Sequence, residues 1–382
     1  MIYLDNNATT KVDPRVLEAM MPYLTDNFAN AASTHPFGLG AYEAVKNARQ
    51  QVADLIGSET NEIIFTSGAT EAINLAIKGV AENYSKKGKH IITVSTEHKA
   101  ILDTCEFLDT KGFEVTYLPV QSDGLLDLQV LKQAIRPDTI LVSVMLVNNE
   151  IGVIQPIKEI AEIAHETGAL FMTDATQAVG KIKVDVDELG IDLMCFSGHK
   201  MYAPKGIGAL FVRQRRPRRV KLEALIHGGG HERSLRSGTL NVPGIIALGK
   251  ACEIAKNEMS ENQDKIKELR DYLEAELLKI DDTIVNGNQN QRIFSTSNIL
   301  FKGVDSDAII MGLDGIAVSN GSACTSASIE PSHVLIELGY SEEDAFSSIR
   351  FSIGKTNTIE EILFVISKLK NLICQLRALN GL

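Results

Sequence analysis

No apolar stretch in these 382 residues is long enough to cross a bilayer. The longest runs, such as 140–147, have the length of a strand, whereas a spanning helix needs about 20 apolar residues. The opening Met-Ile-Tyr-Leu-Asp lacks the basic and apolar segments of a signal peptide, so the cytoplasm is the expected compartment. Positive charge is also in short supply: 38 Lys and Arg against 49 Asp and Glu leave a formal net charge of −11. That balance argues against a nucleic-acid binder held by general electrostatics. Neither a membrane nor a direct nucleic-acid partner is expected. One local exception is the cluster Arg213, Arg215, Arg216, Arg218, Arg219 and Lys221. It reads either as a solvated connection after a strand or as a docking patch for an acidic partner or an RNA.

Cysteine is sparse too, with five widely spaced residues and no CxxC, which removes a zinc ribbon or a thioredoxin-like pair. Cys105, Cys195, Cys252 and Cys374 sit among apolar neighbours and read as small core residues. Cys324 differs. It lies in Asn320-Gly321-Ser322-Ala323-Cys324-Thr325-Ser326, a small and polar stretch where a thiol is exposed and reactive rather than packed. His227 and His231 stand four apart, which on a helix would suit a metal. The intervening Gly228-Gly229-Gly230 opposes a helix, and no metal is expected. Internal repeats and low-complexity tracts are absent.

What the chain does have is alternation. Short apolar runs at 63–66, 91–95, 115–118, 140–146, 170–173, 193–197 and 209–212 are separated by amphipathic stretches such as 71–84 and 157–166. This pattern predicts an α/β fold with a mainly parallel central sheet flanked by helices. A long helical pattern follows at 245–280. Strands near 297–301 and 317–319 and a final helix at 359–379 complete a smaller α+β domain. The expected division is a large domain over 15–255 and a small one from 1–14 with 256–382.

Several apolar runs end in chemically capable residues, and ligands of open α/β sheets bind beyond the carboxyl ends of strands. The first is Thr66-Ser67-Gly68-Ala69-Thr70-Glu71, a strand-to-helix turn suited to an anion, or a plain helix cap. The second is Asp174, an acid after an apolar strand, costly to bury without a partner such as a protonated pyridine nitrogen. The third is Ser197-Gly198-His199-Lys200, where a lysine beyond a buried strand can be desolvated and turned into a nucleophile.

Taken together these residues resemble the class V, fold-type I pyridoxal-phosphate (PLP) enzymes, specifically the cysteine desulfurases of the NifS/IscS class. The likeness runs from Tyr3-Leu4-Asp5-Asn6-Asn7-Ala8-Thr9-Thr10 to Ser348-Ile349-Arg350-Phe351-Ser352. Between them lie Glu97-His98, Asn148-Asn149-Glu150, Asp174-Ala175-Thr176-Gln177, Gly228-Gly229-Gly230-His231-Glu232, Arg236-Ser237-Gly238-Thr239 and Gly321-Ser322-Ala323-Cys324-Thr325-Ser326. The resemblance implies that PLP is the cofactor. Lys200 is similar to the Schiff-base lysine, Asp174 to the partner of the pyridine nitrogen, and Gln177 to the donor to the ring hydroxyl. His98 resembles the imidazole stacked on the ring. Ala69, Thr70, Ser197 and His199 resemble the phosphate surroundings, and Thr239 a phosphate contact from the second subunit of a homodimer. Arg350 and Asn149 resemble the anchors of the substrate carboxylate. Cys324 resembles the cysteine that takes sulfur from L-cysteine as a persulfide, leaving L-alanine, on a loop that carries it to an acceptor protein in iron–sulfur cluster assembly or tRNA thiolation. Other class V activities, selenocysteine lyase or aminotransferase, share the Lys200–Asp174 pair. A non-catalytic sulfur carrier would need Cys324 alone.

Overall fold

A computed structural model describes residues 1–321 and 330–379. The short strand β1 (Ile2–Tyr3) precedes seven strands of one sheet: β2 (Ile63–Thr66), β3 (His90–Val94), β4 (Glu114–Leu118), β5 (Thr139–Ser143), β6 (Leu170–Asp174), β7 (Leu193–Ser197) and β8 (Gly208–Val212). Their order is β2-β8-β7-β6-β5-β3-β4, and β8 alone runs against its neighbours. Residues of β3, β5, β6, β7 and β8 are buried throughout, as continuous Ile, Leu, Val and Phe runs require when helices cover both faces of a parallel sheet. Strand β4 sits at the edge and exposes Glu114 and Tyr117.

The helix Ala69–Tyr84 closes one face with Ile73, Ala76, Ile77 and Val80. The helices Pro36–Ile56 and Ile157–Glu166 bury their apolar stripes against the other. The 36-residue helix Val242–Leu277 starts three residues before its periodicity suggests. There Asn241 accepts from the Gly244 N–H and Pro243 fits the first turn. The remaining strands are β9 (Thr283–Val285), β10 (Thr296–Phe301), β11 (Ile316–Ala317) and β12 (Ser348–Ser352). Strands β12, β10 and β9 form an antiparallel sheet, and β1 pairs with β11. The final helix is Ile359–Leu379.

Three sequence expectations need correction. The apolar run 140–146 is a strand only to Ser143. Val144 and Leu146 still hydrogen-bond to Met172 and Asp174 carbonyls, but the chain then turns into the Asn148–Glu150 loop. Cys374 is exposed, because the buried stripe of its helix runs through Ile362, Val365, Ile366, Leu369 and Ile373 and leaves position 374 outside. The basic cluster is not simply a solvated connection. Arg213 is buried and pairs with Asp187 at 2.7 Å, Arg215 pairs with Glu62 at 3.0 Å, and Arg218 pairs with Asp192 at 3.1 Å. Three of its cations are used to tie the β8 exit to the sheet.

Candidate active site

The carboxyl ends of β2, β3, β5, β6 and β7 converge on a pocket of about 470 Å³, a usual size for a small-molecule site. Each end contributes through its own local chemistry.

After β2, Thr66 donates its hydroxyl to the Gly68 carbonyl at 3.0 Å and shapes the turn. Gly68 is the N-cap of the helix Ala69–Tyr84 and no side chain caps it, so the first-turn groups of Ala69 and Thr70 face the pocket at the positive end of a 16-residue helix. Glu71, in the same turn, is held by the Ser67 N–H at 2.8 Å and by Arg236 at 2.8 Å, contacts that outweigh its burial and keep it below the usual carboxylate range. Gly208 at the start of β8 lies under this turn. A Cβ there would stand 2.7 Å from the Gly68 Cα and 2.7 Å from the Phe196 carbonyl, so only glycine lets the turn settle onto the sheet.

After β3, His98 caps the next helix: its Nδ1 accepts from the Ala100 N–H at 3.1 Å. A neutral His98 therefore carries its proton on Nε2. The preceding Glu97 is fully buried and accepts from the Met145 N–H at 2.6 Å. Burial and the nearby Asp174 push it well above the usual carboxylate range.

Asp174 ends β6, is buried, and accepts from the Thr176 N–H at 2.9 Å. Ser197 ends β7, followed by His199 and Lys200 on one helical turn. Lys200 Nζ donates to the carbonyls of Asn7 at 2.5 Å and Ala8 at 2.6 Å. His199 Nδ1 shares a hydrogen bond with Thr9 at 3.1 Å. Burial, with Lys200 and Lys205 nearby, lowers its pKa to about 4, so it is a neutral imidazole at neutral pH.

Arg350 enters from β12 of the smaller sheet. It is buried, with one terminal nitrogen on the Asn149 carbonyl at 3.0 Å and the other on Asp5 at 2.7 Å. Its Nε, though buried, has no partner among the described residues.

The pocket thus gathers Ala69, Thr70, His98, Asn149, Asp174, Gln177, Ser197, His199, Lys200 and Arg350, ten of the twelve residues expected from the sequence. The other two stand apart. Thr239 is exposed and is not among the residues lining the pocket. Cys324 lies outside the described residues, although Gly321, three positions earlier, lines the pocket. Sequence reasoning overlooked Asn7 and Ala8, whose contribution is backbone carbonyls, together with Lys205 and Lys181. Asn7 and Ala8 stand in the Asp5-Asn6-Asn7-Ala8 motif, which was the signal available.

Two features test the fit to PLP. A buried Asp174 without a cation partner among the described residues is costly unless a protonated ring nitrogen faces it. An uncapped helix start beside Ser197 and a neutral His199 offers N–H and O–H donors to a phosphate. The residues present fit the group.

Comparison with known proteins gives the same picture. The family model described as Aminotransferase class-V matches residues 2–365. A cysteine desulfurase IscS of Methylococcus capsulatus is 53% identical over the whole chain and 94% of its own length. That of Dechloromonas aromatica is 56% identical, again over all of this chain and 94% of the relative. Among solved structures, a NifS-like protein superposes with a TM-score of 0.92 at 38% identity, covering 98% of this chain and 100% of that one. The structure of SspA in complex with cysteine gives 0.82 at 39%, covering 94% and 100%.

Proposed function

We propose the following division of labour for a chain that belongs to the class-V aminotransferase family and is a PLP-dependent cysteine desulfurase. Its reaction removes sulfur from L-cysteine, leaves L-alanine and passes the sulfur on. When bound, PLP supplies an aldehyde that joins amines and a ring that takes up negative charge from Cα.

In this reading Lys200 holds the cofactor and, once displaced by substrate, takes the Cα proton on Nζ; the Asn7 and Ala8 carbonyls fix where that nitrogen sits. Asp174 would accept from the ring nitrogen and Gln177 would donate to the ring oxygen. His98, which lines the pocket, would stack its imidazole against the ring. The helix start at Ala69 and Thr70, with Ser197 and His199, holds the phosphate. Arg350 takes the substrate carboxylate through its unused Nε–H, next to Asn149. The thiolate of Cys324 attacks the substrate sulfur. A sulfur–sulfur bond forms, the carbon–sulfur bond breaks, and its electron pair stays on the carbon skeleton, which takes one proton at Cβ and recovers the Cα proton from Lys200 to become alanine. Cys324 is left as a persulfide for an acceptor protein of iron–sulfur assembly or tRNA thiolation.

The active unit in this proposal is a homodimer in the cytoplasm, with Thr239 reaching the phosphate site of the second subunit. Its support is the exposure of Thr239 beside exposed Leu225 and Ile226, and of Leu24, Phe28, Phe37, Leu39 and Tyr42. The division into 15–255 and 1–14 with 256–382 is part of the same reading. The seven-stranded sheet lies in the first part and the three-stranded sheet in the second. No helix among the described residues is long and apolar enough to cross a membrane.

The observation that carries the proposal is the meeting of Lys200, Asp174 and Arg350 in one pocket. The test is incubation with L-cysteine followed by mass spectrometry. The peptide containing Cys324 gains one sulfur atom as alanine appears. Cys324→Ser keeps cofactor and substrate binding and loses sulfur release. A Cys324→Ser enzyme that supplies sulfur at the parent rate refutes the role of that thiol.

A further inference from the structure

Lys181 is a second lysine behind the site, and no role has been assigned to it above. It follows the turn after Gln177 and is half-buried. Its Nζ donates to Gln177 Oε1 at 2.7 Å and to Asn7 Oδ1 at 3.4 Å. Gln177 in turn donates its Nε2 to the Asn7 carbonyl at 3.0 Å, the same oxygen that accepts from Lys200 at 2.5 Å. One peptide carbonyl therefore joins Lys181, through Gln177, to the nucleophilic lysine. No carboxylate pairs with Lys181 among the described residues. The charged groups that act on it are Lys200, on the turn after β7, and Arg350, on β12.

Gln177 can present either end of its amide to the pocket, and the choice decides whether it donates or accepts there. An ammonium is a donor only. With Lys181 beside it, the Oε1 end must face the lysine and the NH₂ end must face Asn7 and the pocket. Lys181 also places positive charge near Lys200, and like charges favour loss of a proton from the neighbouring amine. Nothing in either argument needs Lys181 to touch substrate.

We propose that Lys181 is a positioning residue: it fixes the Gln177 amide as a donor toward the cofactor and holds a positive charge behind Lys200. The inference rests on the reading that Lys200 carries the cofactor. Burial and the two neighbouring cations bring the Lys181 ammonium down to about 7, so its charge is present below neutral pH and lost above it.

The experiment compares holoenzyme of the parent with Lys181→Met, Lys181→Gln and Lys181→Arg. The readout is the pH midpoint of the visible band of the bound cofactor, measured without substrate. Lys181→Arg keeps the donor and holds its charge at every pH, so its midpoint lies at or below that of the parent. Lys181→Gln keeps a donor without charge, and Lys181→Met has neither. Both raise the midpoint by about one pH unit, because a like charge near Lys200 has gone. Cofactor dissociation separates the two neutral variants: Lys181→Met, which frees the Gln177 amide, loses cofactor faster than Lys181→Gln. If Lys181→Met does not accumulate as folded protein, the Lys181→Gln midpoint decides. An unmoved midpoint in whichever neutral variant folds overturns the charge role, and equal dissociation rates in a folded pair overturn the amide role. Borohydride reduction of the parent is the separate control. If the cofactor mass is not fixed to the Lys200 peptide, the underlying reading fails, whatever Lys181 does.

Discussion

At the level of single residues, Lys200 and Arg350 make the sharpest demands. Lys200→Ala removes the amine that donates to the Asn7 and Ala8 carbonyls, and turnover is expected to be lost while any PLP stays noncovalent. Alanine release measured alongside the mass of the denatured protein checks this. Arg350→Lys keeps one charge but cannot reach Asn149, Asp5 and a substrate carboxylate together. KM for cysteine is expected to rise by roughly one to two orders of magnitude, with a smaller change in kcat. A steady-state series over cysteine concentration reads the split. His199 gives a pH signature. Its folded pKa, about 4, lies below its ordinary value of 6.5, so the unfolded chain binds this proton first as pH falls. Its contribution to stability is therefore complete above about 6.5 and is lost progressively toward 4. The melting temperature of parent protein should fall relative to His199→Asn across that window. A constant offset between the two would show that His199 does not titrate in this way.

At the level of elements, the close seat of the β2 turn on β8 shapes the end of the pocket proposed to hold the phosphate. Gly208→Ala forces a Cβ into the Gly68 backbone. Overpacking of this kind costs about 1–3 kcal/mol, which urea unfolding would measure, and weakened PLP binding should accompany it. Strands β3, β6 and β7 were legible because each is a continuous buried run bounded by turn residues, and a parallel sheet writes that pattern plainly. The helices Ile157–Glu166 and Ile359–Leu379 were legible from their apolar spacing. Side-chain partners far along the chain were not. Nothing local tells that Arg215 meets Glu62 across 153 positions. The site residues with distinctive side chains, such as Lys200 and Asp174, stood out at strand ends. Asn7 and Ala8 act through peptide carbonyls that every residue possesses, so composition and spacing could not single them out.

At the level of the whole molecule, the loop after β8 is anchored rather than free. Glu232 is buried, pairs with Arg49 at 2.6 Å and accepts from the Phe65 N–H at 2.8 Å. Glu232→Ala strands Arg49 and the Phe65 N–H, and breaking such a buried pair costs about 3–5 kcal/mol. The same change loosens the segment leading to Thr239, so sedimentation should show weaker self-association as well as a lower unfolding midpoint. A fully active monomer at assay concentration would contradict the composite site.

The placement of residues 5–8 has a further consequence, in the order of synthesis. Ile2 and Tyr3 pair with Ile316 and Ala317, and Asp5 bridges to Ser352. The carbonyls that seat Lys200 therefore leave the ribosome long before β11 and β12, the strands their segment leans on. The large sheet can close as soon as Val212 has emerged, but Lys200 has no fixed seat until β12 is translated. A nascent chain stalled between these points should hold a formed sheet and take up PLP poorly, and cofactor capture should follow synthesis of β12.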